Sequence, residues 1–374
     1  MDPEVDLTAA GGLLADLVRL LQGDGLVTLQ TSDDARHFGA SSEDRSGTVR
    51  LEASVGGPDE AVFDWQEEVA ERPRVEIVDP GGATTDVRAL APGEAVVTLT
   101  VSRLTDGGPV VEPRLAVPLA VPQFVRVVMG SGFGPALGTL GLRSAQDAVV
   151  RTIAETARAL LVPANVRLVF ATSPLNESMP AHLARSTPRY ASLVTVAQLD
   201  GDPPPALAGK LGVTVPHPSR AGADVGPDDY DERVVVFAGS LAVSRSSSPL
   251  PDLSAALVRV RGELSGSAPD AHWEALGVLL AGRVLGQVLA HEVTHSLIGP
   301  DALGGASVEG HHATPRGALM DNGVQSLQDG TGIDVTDAAA WPAPGSYRDH
   351  GVAGMSQMST ETVALLRGVG LAAS

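Results

Sequence analysis

The sequence predicts a multidomain protein in which an all-β sandwich is followed by an α+β domain. Between about residues 26 and 123, short runs of alternating apolar and polar residues are separated by clusters of Gly, Pro and Asp, which is typical of sandwiches. From residue 146 the chain changes to a helix-like period followed by short apolar runs. An apolar run from Trp273 to Ile298 then predicts a long buried helix.

The composition limits the classes of partner and of metal ligand. The chain has 374 residues, enough for two or three domains with a sizeable core. A formal net charge of −19 argues against nucleic acid and anionic membrane surfaces as partners. No uninterrupted apolar run reaches the roughly 18 to 20 residues of a membrane span. The chain has no cysteine, so any metal must be held by His, Asp, Glu or water.

The N-terminal residues 1–6 are acidic and lack the basic start and apolar core of a secretory signal. We therefore expect a cytoplasmic protein, one exported by another route, or a secreted one from which a signal was removed. Lys210 is the only lysine beside many arginines. With abundant Ala, Gly, Pro and Val, this bias indicates a GC-rich bacterial source.

The N-terminal 123 residues predict a helical segment and then the sandwich. Residues 1–25 predict the helical segment, because five leucines within 8–22 share one helical face: Leu13, Leu14, Leu17, Leu20 and Leu21. Residues 26–123 predict the β-sandwich, with strands at Thr48–Val55, Arg74–Val78 and Ala95–Val101.

Residues 26–123 resemble bacterial immunoglobulin-like and PKD-like domains at three places. Val49–Val55 is similar to an early core strand, and Phe63-Asp64-Trp65 to the segment that carries the core tryptophan. Leu90–Gly93, leading into Val96–Val101, resembles the late turn and strand. The resemblance implies an Ig-like module for surface or partner binding, or a spacer, with the Trp65 side chain in the core.

The remaining residues predict a linker and then the α+β domain. Residues 124–145 contain Gly130-Ser131-Gly132-Phe133-Gly134 without an evident strand–loop–helix context, so we expect an interdomain linker or an entry loop there and no nucleotide site. Residues 146–374 predict the α+β domain. Its expected elements are a helix at 146–161, strands at 165–171, 192–197 and 233–237, and a surface loop at 201–232.

The segment His291-Glu292-Val293-Thr294-His295 lies near the end of the predicted long helix. Residues four apart share a helix face, so the His291 and His295 imidazoles can reach one metal ion, with Glu292 beside them. This is the zincin arrangement, in which two histidines bind zinc and the glutamate takes a proton from zinc-activated water.

Residues downstream of this motif add to the resemblance to zinc peptidases. Ala318–Gly323 resembles the Met-turn of metzincins, in which a methionine, here Met320, forms an apolar base under the metal. Together with Gly310-His311-His312, the stretch is similar to a group of bacterial metzincin-like zinc metallopeptidases. In that group a histidine shortly before the Met-turn is the expected third ligand, which implies His312, with His311 as an alternative.

The metzincin pattern also offers Asp301 as a third ligand, six residues after His295. That pattern needs glycine three residues earlier, and here the position is Ile298. A β-branched residue is poorly suited to the positive φ of such a sharp turn. His312, Asp301 and His311 therefore stay open as third ligands.

The resemblance implies a zinc-dependent endopeptidase that acts on protein or peptide substrates. Glu292 is the expected general base, and Tyr347 and His350 are candidate oxyanion donors. The main alternative is a non-catalytic binding or adhesion module with a structural or vestigial zinc site. Hydrolysis of a non-peptide amide, and cleavage of one host protein by a toxin-like effector, are further alternatives.

Overall fold

A computed structural model describes the chain in two compact units. The described residues are 18–22, 25–31, 48–55, 60–68, 73–90, 93–105, 108–111, 114–121, 123–178, 195–215, 233–242, 251–266, 271–298, 319–320, 355 and 357–367. The first unit comprises residues 1–122 with 180–185, and the second comprises residues 123–179 with 186–374.

The first unit contains two antiparallel sheets. One has the strand order β1-β2-β3-β6-β5, and in the other β7 pairs with β4, β8 and β9. The strands are β1 Val18–Gln22, β2 Gly25–Thr31, β3 Thr48–Val55, β4 Glu60–Glu67, β5 Val75–Ile77, β6 Thr84–Ala89, β7 Gly93–Thr105, β8 Gly108–Val111 and β9 Leu115–Val121.

Trp65 connects the two sheets of the first unit. Its side chain is buried, as predicted, and the indole Nε1 donates a 2.8 Å hydrogen bond to the carbonyl oxygen of Gly82, in the turn between β5 and β6. Along β3, Val49, Leu51 and Ala53 are buried while the residues between them are exposed, which is the strand alternation expected for one buried face. The prediction of strands in this region is confirmed, and the Ig-like assignment stays a prediction.

The predicted N-terminal helix is wrong over residues 18–22, which form strand β1. β1 pairs with β2 in a register that places Gln22 opposite Gly25, so Gly23-Asp24 is a two-residue connection. Such short connections favour a hairpin, and cross-strand partners outweigh the helical spacing of the leucines. The other residues of the predicted segment 1–25, apart from Gly25, lie outside the described part of the chain.

The second unit has one mixed sheet and several helices. The strand order is β11-β10-β12-β14-β13, with β13 antiparallel to β14 and the other neighbours parallel. The elements are β10 Gln123–Met129, β11 Val166–Phe170, β12 Thr195–Asp200, β13 Gly212–Val215, β14 Arg233–Phe237, α1 Phe133–Thr139, α2 Gln146–Leu161, α3 Pro251–Leu264, α4 Ala271–Ile298 and α5 Thr360–Arg367. Short 3₁₀ turns span Arg143–Ala145, Val162–Ala164, Pro205–Leu207 and Ala238–Ala242.

The predicted linker 124–145 is wrong, because its first residues belong to β10, an interior strand of the sheet. β10 pairs with β11 on one side and with β12 on the other, and Val125 and Val127 are fully buried. Arg126, on the other face of the strand, is exposed, so the short run carries only a weak pattern, and its pairing on both edges leaves no mark in the sequence. The glycine-rich loop does lie between a strand and a helix, and a Cβ on Gly132 would be 2.7 Å from Asp200 Oδ1. Close backbone packing therefore accounts for that glycine.

The predicted loop 201–232 contains a strand that the sequence analysis missed. β13 is only four residues long and follows a segment rich in Pro, Gly and Asp. Its pairing with β14, which joins Gly212 to Val236 and Val215 to Arg233, provides the stabilisation that local sequence lacks. The predicted helix 146–161 and the strand 233–237 are confirmed at the predicted bounds.

Helix α4 is the central helix of the second unit, and the candidate site lies on it. Glycines allow it to approach α2 closely: a Cβ on Gly282 would be 2.5 Å from Thr152 Cβ, and one on Gly286 would be 2.8 Å from Thr156 Cβ. By length and composition, α4 is the one described helix that could cross a membrane. However, 94% of the apolar stretch that meets this criterion is buried within the protein, as is usual for a helix in a protein core.

Candidate metal centre

The His291 and His295 side chains converge on one face of α4. The two Nε2 atoms are 3.0 Å apart, and the ring planes are inclined by 79° with their centroids 4.6 Å apart. Both residues are buried, with 8% and 9% of their surfaces exposed. The pair of ligands predicted by the helical spacing is therefore brought together.

A hydrogen bond from outside the helix orients the His291 ring. The Nδ1 atom lies 2.8 Å from the carbonyl oxygen of Leu319. A carbonyl oxygen can only accept, so Nδ1 carries the hydrogen, and in a neutral ring Nε2 then presents its lone pair toward His295. The Leu319 main-chain nitrogen donates in turn to the carbonyl oxygen of Gln357. The contact that selects the His291 tautomer is thus itself anchored.

Met320 follows this anchored residue directly. The side chains of Leu319 and Met320 are both buried in the same apolar cluster as Val288, Leu289 and Val293 of α4. The predicted role of Met320 as an apolar base under a metal stays a prediction.

Glu292 lies on a different side of α4 and contacts strand β13. The Thr214 hydroxyl oxygen is 2.8 Å from Glu292 Oε2 and also 2.8 Å from the carbonyl oxygen of Glu292. A Cβ on Gly212 would be 2.8 Å from Glu292 Cγ and 3.0 Å from Oε1. Thr214 and Gly212 were missed by the sequence analysis, and the β-branched run Val213-Thr214-Val215 is the one signal that could have found them.

The third ligand lies outside the described residues. His312, Asp301 and His311 are not among them, and neither are Tyr347 and His350. Within the described part of the chain, no group of three or more His, Asp or Glu side chains is arranged to hold a metal ion. The histidine pair would account for two coordination positions, and both the metal and its third ligand stay predictions.

The histidine pair fits two positions of a tetrahedral zinc ion. With Zn–N bonds of about 2.0 to 2.1 Å, two such ligands are separated by about 3.3 to 3.4 Å, close to the observed 3.0 Å. Imidazole nitrogens are also among the donors that zinc prefers in proteins. At the same separation the two rings can share a hydrogen bond when no ion is bound.

The polar side of α4 continues beyond the histidine pair. Arg283 and Gln287, which interrupt the apolar run in the sequence, precede His291 by two turns and one turn and are both buried. Burial removes water from the Arg283 guanidinium and lowers its pKa from the ordinary value. A row of buried polar groups thus leads along the helix to the candidate centre.

Comparisons with known proteins leave the family open. No family model matches the chain, and no curated protein matches it. A sialyltransferase structure from Photobacterium damsela is 11% identical with a TM-score of 0.17, over 43% of this chain and 30% of that chain. A 2,6-sialyltransferase structure from Vibrionaceae Photobacterium sp. JT-ISH-224 is 8% identical with a TM-score of 0.24, over 87% of this chain and 61% of that chain. This chain thus covers less than two thirds of either enzyme, and scores this low establish no shared fold or activity.

Proposed function

We propose that this chain is a zinc-dependent endopeptidase in which His291 and His295 bind the metal and Glu292 is the general base. The observation that carries the proposal is the 3.0 Å separation of the two Nε2 atoms beside a glutamate anchored on β13. A purely structural site has no use for a neighbouring general base. The expected third ligand is His312, with Asp301 and His311 as the alternatives.

Each residue has a distinct part in this chemistry. A bound zinc ion supplies a water molecule of lowered pKa and a Lewis acid for the substrate carbonyl. The hydrogen bond from His291 Nδ1 to the Leu319 carbonyl oxygen fixes the ring orientation and leaves the Nε2 lone pair for the metal. Glu292 accepts a proton as the water oxygen bonds to the peptide carbon, and it delivers a proton to the amine nitrogen as the C–N bond breaks.

A peptide is the substrate favoured by the position of β13. In the described part of the sheet, β13 pairs with β14 alone, so it lies at the edge. Edge strands offer main-chain donors and acceptors to which an extended peptide can add as another strand. Because β13 also contacts Glu292, a peptide bound there would lie near the proposed general base.

A non-catalytic binding module is the second candidate. It is favoured by the observation that the His291 and His295 rings can hydrogen-bond directly to each other, which stabilises the pair without an ion. In that case the first unit, with its two antiparallel sheets, would supply the binding surface. The two candidates differ in their requirement for Glu292.

The decisive experiment compares Glu292→Ala with Glu263→Ala, an exposed glutamate on α3. Both variants and the wild type are loaded with zinc, assayed for casein hydrolysis and analysed for zinc per chain. The proposal expects Glu292→Ala to keep its zinc but to lose about 100-fold or more in kcat, with Glu263→Ala unchanged. Wild-type turnover by Glu292→Ala would refute the assignment. A wild type that hydrolyses no casein would favour the binding module.

A further inference from the structure

We propose that Thr214 is the positioning residue for Glu292, an inference that rests on the proposed peptidase function. Its hydroxyl oxygen lies 2.8 Å from Glu292 Oε2 and 2.8 Å from the carbonyl oxygen of Glu292. One hydroxyl group therefore contacts both the end of the side chain and the main chain of the same residue. This double contact fixes the carboxylate relative to its own helix, although the two residues are 78 positions apart in sequence.

The geometry of β13 makes this contact possible. Side chains two residues apart in a strand point to the same face, so Gly212 and Thr214 both face α4. With no side chain at Gly212, the strand can approach the helix: a Cβ there would be 2.6 Å from Val288 Cγ1 and 2.8 Å from Glu292 Cγ. The glycine sets the distance between the strand and the helix, and the threonine uses that distance to hold the carboxylate.

A hydroxyl group suits a residue that gains and loses a proton during a reaction. It has one hydrogen to donate and two lone pairs that accept. When Glu292 is a carboxylate, the Thr214 hydroxyl donates to Oε2. When Glu292 carries the proton taken from water on Oε1, the Thr214 hydroxyl can still donate to Oε2 or turn its hydrogen to the Glu292 carbonyl oxygen. Rotation of one hydroxyl hydrogen keeps the carboxyl group in place in both states.

The test compares Thr214→Val, which removes the hydroxyl, with Thr214→Ser, which retains it. We expect Thr214→Val to lower kcat by about 10- to 100-fold with KM and zinc per chain unchanged, as for other residues that orient a catalytic group. Thr214→Ser should restore kcat to near the wild-type value. Thr139→Val is the matched control, because it removes a threonine hydroxyl bonded to a helix carbonyl oxygen on α1.

A structural measurement separates this inference from the proposed function. Crystal structures of the wild type and of Thr214→Val, or of Thr214→Ala if the valine variant does not fold, report the Glu292 side chain directly. A displaced or multiply oriented Glu292 carboxylate in the variant supports positioning by Thr214, even if the wild type hydrolyses no peptide. A Glu292 carboxylate that keeps a single unchanged orientation in the variant overturns the inference. So does a Thr214→Ser variant whose kcat is as low as that of Thr214→Val.

Discussion

The Nδ1 atom of His291 donates a 2.8 Å hydrogen bond to the carbonyl oxygen of Leu319, 28 residues further along the chain. This bond joins the His-Glu motif of α4 to the segment that contains Met320. Because it selects the tautomer with the Nε2 lone pair directed at His295, a main-chain group distant in sequence orients this proposed metal ligand.

Removal of the His291 imidazole should abolish zinc binding. We expect about one zinc per chain in the wild type and less than about 0.1 in His291→Ala, since one remaining histidine of the pair cannot hold the ion. The matched control is His272→Ala, on the same helix but about 28 Å along its axis. Elemental analysis of the dialysed proteins makes the comparison. Equal amounts of zinc per chain in His291→Ala and His272→Ala would mean that the metal is bound elsewhere.

A methyl group at Gly212 should disturb Glu292 without removing the metal ligands. In Gly212→Ala the new Cβ would lie 2.6 Å from Val288 Cγ1 and 2.8 Å from Glu292 Cγ, so the strand or the glutamate must move. We expect lower kcat, a loss of about 1 to 3 kcal/mol in the free energy of unfolding, and unchanged zinc per chain. Gly81→Ala, where a Cβ meets no atom within 4 Å, is the control. Full activity in Gly212→Ala would contradict the close packing.

The approach of α4 to α2 should depend on Gly286. A Cβ there would be 2.8 Å from Thr156 Cβ and 2.9 Å from the Ile153 carbonyl oxygen, which is main chain and cannot easily yield. Gly286→Ala should therefore lose about 1 to 3 kcal/mol of stability in urea unfolding, despite the better helix propensity of alanine. Gly262→Ala in α3 meets no atom within 4 Å and should gain about 0.5 to 1 kcal/mol. The prediction fails if both variants gain stability.

The Trp65 indole should stabilise the first unit through its hydrogen bond as well as its volume. Trp65→Phe leaves the Gly82 carbonyl oxygen without its 2.8 Å donor and opens a space in the core. We expect a loss of about 1 to 4 kcal/mol in the free energy of unfolding, measured calorimetrically. Zinc per chain should be unchanged, because the histidine pair belongs to the other unit. A variant that loses zinc but no stability would contradict the assignment of Trp65 to the stability of the first unit alone.

Features set by short-range periodicity were predictable from the sequence. The helix 146–161 and the strand 233–237 have the predicted bounds. The burial of Trp65 was expected instead from the resemblance of its segment to Ig-like and PKD-like domains. The strand β10 was predicted as a linker, because the short apolar run before the glycines gives no sign of the two strands that pair with it. The residues of β1 were read as helix, because leucine spacing cannot report a partner strand.

The sequence by itself determined which residues we propose for the chemistry. A spacing of four residues on a helix places His291 and His295 on one face, and Glu292 comes with them. Only the tertiary structure decided how these side chains are held: Leu319 orients His291, while Gly212 and Thr214 contact Glu292 from β13. Helical spacing follows from local backbone geometry, whereas these contacts join residues 28 and 78 positions apart and exist only once the sheet and the helix have packed together.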